Sequence, residues 1–283
     1  MDKIRIITDS ASDIKRDFHE LITVLPIRIR FDEEEYLDGV TINNIQFFEK
    51  LIESDSLPKT SLITPDTFEN EYKKAVADGF RVIVITLASD LSGTYQSAVI
   101  AAENYKDSVT VIDSRTATTS EHILVKYALE LIQKGLSYQE IIRILEEEKN
   151  DIQLLAVLDT LEYLKKGGRI SKTAAFVGEV LSIKPVVTLK DGVVSVLGKA
   201  RGSKNGNNYL MKEIEKSSGI DFTRPLCLGY TGLSDEMLQK YIKDSAALYE
   251  GALSELPICS VGATIGTHVG PNCIVVSYFQ KRV

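Results

Sequence analysis

Residues 83–105, IVITLASDLSGTYQSAVIAAENY, determine how the rest of the chain is interpreted. A run of β-branched residues is followed by small polar residues and then by an Ala-rich stretch, a pattern that predicts a buried strand, a tight turn and a helix. Four side chains of the turn carry oxygens suited to a helix start: Ser89, Asp90, Ser92 and Thr94. Gly93 lets the backbone pass close to a ligand. Because amide N–H groups at a helix start attract anions, the turn predicts a cradle for a carboxylate.

Length and charge limit the class of protein. The chain has 283 residues, of which 44% are hydrophobic, which is enough for a sizeable core and suggests two domains. Lys and Arg number 33 and Asp and Glu 40, so the net charge of -7 argues against a general nucleic-acid surface. No apolar run approaches the roughly 20 residues of a membrane helix, and the first residues resemble a strand rather than a signal peptide. We therefore expect a cytoplasmic protein with no integral membrane segment, and transient membrane contact remains open.

The cysteines do not suggest a metal site or a disulfide framework. Cys227, Cys259 and Cys273 are odd in number, widely spaced and embedded in apolar sequence. We expect them to be buried thiols, and we expect no metal.

Strands alternate with helices in the first half of the chain. Strands are predicted at 4–8, 21–31, from 83 and at 109–112, and helices at 44–53, 66–77, 120–134 and 138–150. A turn is predicted at 33–39, and Thr60 and Ser61 are assigned to a hydroxyl-rich loop. The alternation predicts a mainly parallel sheet, with polar residues at the ends of three strands facing one crevice: Thr8, Ser89 and Ser114. Neither a dinucleotide glycine fingerprint nor a Lys-bearing phosphate loop occurs there, so nucleotide binding is not expected.

The second half changes character at residue 152. Strands are predicted at 154–158, 185–189, 193–197, 226–230, near Ile258 and at 274–279. One short polar helix is predicted to end at Lys165, and three more helices are predicted at 174–181, 208–216 and 234–249. Asp191 and Gly192 predict a two-residue hairpin turn of type I′. We therefore predict an α/β protein with a parallel N-terminal domain, residues 1–151, and a smaller α/β sandwich, residues 152–283.

Several motifs resemble the DegV family, and the resemblance extends over nearly the whole chain. They are TDSASD from Thr8, the turn with Tyr36, Asp38 and Gly39, Thr60 and Ser61, SGTYQSA from Ser92, IDS from Ile112, LEYLKKGGRIS from Leu161, IKP from Ile183, Arg201, and IGTHVGP from Ile265. SGT or GGR alone would be weak signals, whereas the whole set is highly specific.

The resemblance implies a fatty-acid-binding protein that serves as the acyl-carrying subunit of a bacterial fatty acid kinase. A long-chain fatty acid would lie in a pocket between the two domains. Six residues would hold its carboxylate: Thr60, Ser61, Ser92, Gly93, Thr94 and His268. Arg169 and Arg201 would engage the kinase subunit, which binds ATP. The chain itself would have no catalytic residue and no cofactor besides the bound acid.

Other interpretations of the same residues remain open. Residues 92–94 could only cap a helix, Thr60 and Ser61 could be turn hydroxyls, and the two arginines could belong to solvated basic segments. A lipid storage or sensing module without a kinase is one alternative, and a hydrolase with Ser92 as nucleophile and His268 as base is another. Asp9 and Asp113 are expected to orient amides or hydroxyls rather than to catalyse. Residues 118–122, TTSEH, replace a stretch that usually contains glycine in the family, which leaves the preferred acyl chain open.

Overall fold

The computed structural model describes residues 2–170, 183–249, 252 and 255–282, and its strands form three sheets. The first sheet has four parallel strands. They are β1 (Ile4–Asp9), β2 (Ile22–Leu25), β6 (Arg81–Thr86) and β7 (Val109–Asp113), in the order β2, β1, β6, β7. The prediction of an α/β protein with a parallel N-terminal sheet is confirmed.

Helices cover both faces of this sheet. One face carries α2 (Pro65–Ala77) and α3 (Thr94–Ala102), and the other carries α4 (Thr118–Gln133) and α5 (Tyr138–Glu148). Val82 and Val84 pack into the first layer, and Ile83 and Ile85 into the second. Since successive side chains of a strand point to opposite faces, a strand covered on both sides needs a continuous apolar run.

A small antiparallel sheet lies beside the first one and was not predicted. Its strands are β3 (Arg28–Phe31), β4 (Glu34–Leu37) and β5 (Lys59–Ser61), in the order β4, β3, β5, with α1 (Asn44–Glu53) packed nearby. The single strand predicted at 21–31 is wrong, because Pro26 has no N–H to continue a ladder and separates β2 from β3. The turn predicted at 33–39 is also wrong, since β4 occupies most of it. Thr60 and Ser61 lie on β5 rather than in a loop.

The third sheet has six strands and contains the second half of the chain. They are β8 (Ile152–Val157), β9 (Ile183–Lys190), β10 (Val193–Arg201), β11 (Leu226–Tyr230), β12 (Ile258–Ser260) and β13 (Ile274–Phe279). Their order is β10, β9, β8, β13, β11, β12, and among these described strands only the β11–β12 pair is parallel. Asp191 and Gly192 both have positive φ, 52° and 80°, as a type I′ turn requires. The second half is shorter than the first, yet its sheet is wider.

The described residues of this half contain four further helices: α6 (Glu162–Lys166), α7 (Gly202–Lys216), α8 (Glu236–Asp244) and α9 (Ala263–Val269). Leu155 and Val157 of β8 pack into the layer of α7 and α8, whereas Leu154 and Ala156 face the opposite side, where α6 and α9 lie. The helix predicted at 234–249 is interrupted after α8, and a separate 3-10 turn follows at Ala246–Tyr249. The helix predicted at 174–181 lies outside the described residues.

One helix joins the two large sheets. α4 contacts β1 and β6 of the first sheet and β11 and β13 of the third. Tyr127 of α4 and Phe279 of β13 form an edge-to-face ring contact with centroids 5.2 Å apart. The strands of the first two sheets all precede residue 114 and those of the third begin at residue 152, which supports our proposed division into 1–151 and 152–283.

Two predictions made from composition can be compared with the described residues. All three cysteines are free thiols, and Cys227 and Cys273 are buried while Cys259 is half-buried. Within the described part of the chain, no helix combines the length and apolarity that crossing a bilayer requires.

Arg224 binds the two halves together. Its guanidinium donates to Asp221 and, across the two halves, to Glu148 at 3.0 Å and Asp151 at 3.3 Å, and it lies 4.6 Å from the ring centroid of Phe279. The side chain is only 9% exposed, so these contacts are shielded from water.

We predict that Arg224→Met lowers the free energy of unfolding by about 2 kcal/mol, because it removes a shielded guanidinium from three carboxylates, of which Glu148 and Asp151 keep the exposed Arg282. Urea unfolding would measure the change. The matched control is Arg143→Met, which removes an exposed pair with Glu147 and is expected to cost less than about 0.5 kcal/mol. Equal losses in the two variants would contradict a special role for Arg224.

Candidate functional site

A narrow cavity lies between the turns that follow the strands of the first sheet and the α6–α9 side of the six-stranded sheet. Apolar side chains from both halves line most of it: Leu87, Leu91, Leu154, Ala156, Leu158 and Val187. A group of polar side chains, here called the polar end, also lines it: Thr60, Ser61, Ser92, Arg169 and His268. The cavity can therefore surround an apolar chain that carries one polar group.

His268 lies near the end of α9 and is joined to β5. Its Nε2 and the Thr60 hydroxyl are 2.9 Å apart. Gly167 allows this position, because a Cβ there would come within 2.5 Å of His268 Nδ1. Burial, with the positive charge of Arg169 as a second cause, lowers the pKa of His268 to about 4. The imidazole is therefore neutral at pH 7 and acts through hydrogen bonds rather than charge.

Two buried carboxylates hold the start of α9. Asp38 accepts hydrogen bonds from the Ala263 and Thr264 amides at 3.2 and 3.0 Å, and from the Thr264 hydroxyl. Asp13 accepts one from the Gly262 amide at 2.7 Å. Both aspartates belong to turns of the first half, so α9 and its histidine are fixed against that half. Sequence reasoning missed this contact, although Asp38 was part of a recognised motif.

The turn after β6 supplies Ser92. Its Oγ accepts from the Thr94 amide at 3.2 Å and lies 3.0 Å from Thr94 Oγ1. Thr94 is fully buried, and its Oγ1 accepts from the Ile63 amide at 3.4 Å. Gly93 lets Leu62 approach, since a Cβ there would be 2.9 Å from Leu62 Cδ2. Of these three predicted residues, only Ser92 lines the cavity; Thr94 hydrogen-bonds to Ser92, and Gly93 packs against Leu62.

The two predicted arginines lie in different surroundings. Arg169 is half-buried and lines the cavity, and its Nε donates to the Leu91 carbonyl at 3.2 Å. Arg201 is exposed at the end of β10, beside α7, and does not line the cavity. The family resemblance implied the same role for both arginines, because sequence motifs contain no information on side-chain direction.

Comparison with known proteins identifies the family. A sequence model of a protein family, described as "Uncharacterised protein, DegV family", matches residues 3–281. The chain belongs to the DegV family. A DegV domain-containing protein of Caldanaerobacter subterraneus subsp. tengcongensis is 36% identical over 285 residues, covering 99% of this chain and 100% of the relative.

Solved DegV structures share the fold. A fatty-acid-binding DegV family protein of Thermus thermophilus is 30% identical, with a TM-score of 0.88, and the match covers 98% of this chain and 99% of that one. The Streptococcus pneumoniae Fatty Acid Kinase B3 protein, loaded with linoleic acid, is 22% identical with a TM-score of 0.85, covering 99% and 100%. At that identity, the second comparison shows the fold alone.

A hydrolase would pair the Ser92 hydroxyl with the His268 imidazole, but in this DegV protein each is hydrogen-bonded to another residue. Ser92 Oγ pairs with Thr94, and His268 Nε2 pairs with Thr60. A nucleophile needs its base within hydrogen-bond reach. The hydrogen bonds that Ser92 and His268 make therefore do not join them as nucleophile and base.

Acidic side chains at the ends of the parallel strands organise the backbone, as predicted for Asp9 and Asp113. Asp9 accepts from the Ala11 and Leu87 amides, both at 2.9 Å. Asp113 accepts from the Ser89 hydroxyl at 2.6 Å. Burial raises the pKa of Asp9 to about 7 and that of Asp13 to about 8, and the charges of neighbouring carboxylates contribute to both shifts.

These shifts predict a pH-dependent stability. Both folded pKa values lie above the ordinary 3.8, so between about pH 4 and pH 8 the folded protein binds more protons than the unfolded chain. Its free energy of unfolding should fall as pH rises through this window, by up to about 1.4 kcal/mol per pH unit for each group. Asp13→Asn removes one such group while keeping the shape, and asparagine tolerates the φ of 55° at this position.

Urea unfolding at pH 5 and pH 8 measures the effect. We expect Asp13→Asn to gain stability relative to the unchanged protein as pH rises, whereas the exposed control Asp107→Asn should show no such trend. A constant difference between Asp13→Asn and the unchanged protein would exclude a protonated Asp13 in the folded state.

Proposed function

We propose that this protein binds a long-chain fatty acid in the cavity and presents its carboxylate to a separate ATP-dependent kinase that forms the acyl phosphate. The observation that carries the proposal is the shape and chemistry of the cavity, which is narrow, mostly apolar and polar at one end. The fatty acid bound by the Thermus thermophilus relative supports the ligand class. The Streptococcus pneumoniae structure is that of a Fatty Acid Kinase B3 protein, which supports the involvement of a kinase.

Burial of the tail supplies most of the binding energy. A tail of about 14 methylenes at about 0.8 kcal/mol each contributes roughly 11 kcal/mol before ordering and association costs are subtracted. The lining from Leu87, Leu91, Leu154 and Leu158 provides the apolar surface for this burial.

The polar end offsets the desolvation of the carboxylate and fixes its position. A buried carboxylate costs several kcal/mol unless hydrogen bonds compensate it. Thr60, Ser92 and the neutral His268 offer such bonds, and Arg169 offers a positive charge. Ser61 is exposed, so this end of the cavity is close to solvent, where a γ-phosphoryl group can reach a carboxylate oxygen.

The first experiment identifies the ligand. The purified protein is analysed by mass spectrometry under native and denaturing conditions, and we expect one fatty acid per chain. A different bound lipid, or no binding of any added fatty acid, would overturn the ligand assignment. Adding the kinase subunit and ATP then distinguishes a kinase substrate carrier from a storage or sensing module, since only the carrier yields acyl phosphate.

We predict that Ser92→Ala and Thr60→Val each weaken fatty acid binding by about tenfold, because a hydrogen bond to a charged group contributes about 1.5 kcal/mol or more. Isothermal titration calorimetry on delipidated protein would measure the dissociation constants. The control is Thr64→Val, an exposed threonine of the same segment that does not line the cavity. Unchanged affinity in both cavity variants would place the carboxylate elsewhere.

The two arginines are predicted to differ in their effects. Arg201→Ala should lower kinase-dependent turnover several-fold while sparing fatty acid binding, because Arg201 is exposed and outside the cavity. Arg169→Met should lower both, because Arg169 lines the polar end. Coupled kinase assays and binding titrations would separate the two effects, with the exposed Arg143→Ala as a control. Full coupled activity in Arg201→Ala would exclude its docking role.

A further inference from the structure

Thr118 has a backbone conformation that threonine rarely adopts. It is the first residue of α4, and its φ is 52°. In the left-handed region, Cβ crowds the following carbonyl, at a cost of roughly 1–2 kcal/mol, and for a β-branched residue such a φ is an outlier. Thr118 is also one of the residues that line the cavity. Strain of this kind persists only where surrounding contacts impose it.

Asp13 supplies such a contact. The Thr118 hydroxyl donates to Asp13 Oδ2 at 2.7 Å, and the other oxygen of Asp13 accepts from the Gly262 amide at 2.7 Å. With its hydroxyl directed at Asp13, the Thr118 side chain has only the apolar Cβ and Cγ2 atoms to present to the cavity. The buried aspartate therefore fixes both the position and the polarity of this part of the lining.

Thr118 lies away from the polar end. Gly262 precedes α9, whereas His268 is close to the opposite end of that helix. The six residue steps from Gly262 to His268 correspond to about 9 Å at 1.5 Å per residue. Asp13 connects Thr118 to Gly262, which precedes the start of α9. A carboxylate beside His268 would lie near the other end of this helix, so Thr118 is distant from it.

We propose that Thr118 limits the length of the acyl tail and so determines which fatty acids this protein prefers. The proposal rests on the fatty acid binding proposed above and adds a selectivity residue to it. A rigid, strained side chain held by a buried carboxylate cannot move aside for an additional methylene. Each methylene that is accommodated adds about 0.8 kcal/mol, or about fourfold in affinity.

The test compares binding of saturated acids from 14 to 20 carbons to the delipidated full chain. Thr118→Ser removes only Cγ2 and keeps the hydroxyl for Asp13. We expect it to shift relative affinity about fourfold toward the acid that is one methylene longer. Thr118→Gly removes the whole side chain and the conformational strain, and should shift the preference further. The control is Thr119→Ser, which loses the same methyl from the next residue, a buried one outside the lining.

The outcomes separate this proposal from the one it rests on. If the unchanged protein binds fatty acids but both Thr118 variants keep its ranking of chain lengths, the selectivity role is wrong. An equal shift in Thr119→Ser would attribute the change to loosened packing and would also overturn it. Failure of the unchanged protein to bind any of the acids would overturn both proposals. Thermal unfolding of each variant verifies folding, and Thr118→Ser keeps the test valid if Thr118→Gly does not fold.

Discussion

The site depends on carboxylates that are buried and yet bound to backbone amides. Asp13 and Asp38, both from turns of the first half, accept the N–H groups at the start of α9. Burial of the charged forms is costly and raises the pKa of both groups, that of Asp13 to about 8, and amide donors offset part of the cost. The same contacts set the direction of α9, and thereby the place of His268 opposite Thr60. A polar contact between the halves thus determines where the ligand groups meet.

The parallel sheet was predictable because its signal is local. Residues 82–85 are all apolar since helices cover both faces, and no other arrangement readily explains a continuous β-branched run beside Ala-rich helices. The small sheet gave no such signal. β4 and β5 are edge strands of three or four residues with exposed charged side chains such as Glu34 and Lys59, so their pairing with β3 depends on contacts between distant segments.

The sequence predicted which residues belong to the candidate site, but not which of them face the cavity. Thr60, Ser92 and His268 were recognised from motifs, and the structure brings them to one end of one cavity. Gly93 and Thr94 belong to the same motif, yet they face the segment at Leu62 and Ile63. The inward position of Arg169 follows from its bond to the Leu91 carbonyl. Which face of a turn meets a ligand is set by such long-range contacts, and a sequence pattern does not contain them.

For the function proposed above, a neutral His268 beside a charged Arg169 suits a carboxylate that is first held and then phosphorylated. Two cations in a water-poor cavity would repel each other, and burial already lowers the pKa of His268 to about 4. The His268 imidazole and the hydroxyls of the polar end can then orient the carboxylate through hydrogen bonds. The Arg169 guanidinium offsets the negative charge of that carboxylate. Under the proposed function, tail burial provides most of the affinity, so the polar end does not need to bind the carboxylate tightly. A carboxylate held by modest, directional contacts keeps an oxygen available to a phosphoryl donor, since positioning supplies much of the catalysis in phosphoryl transfer.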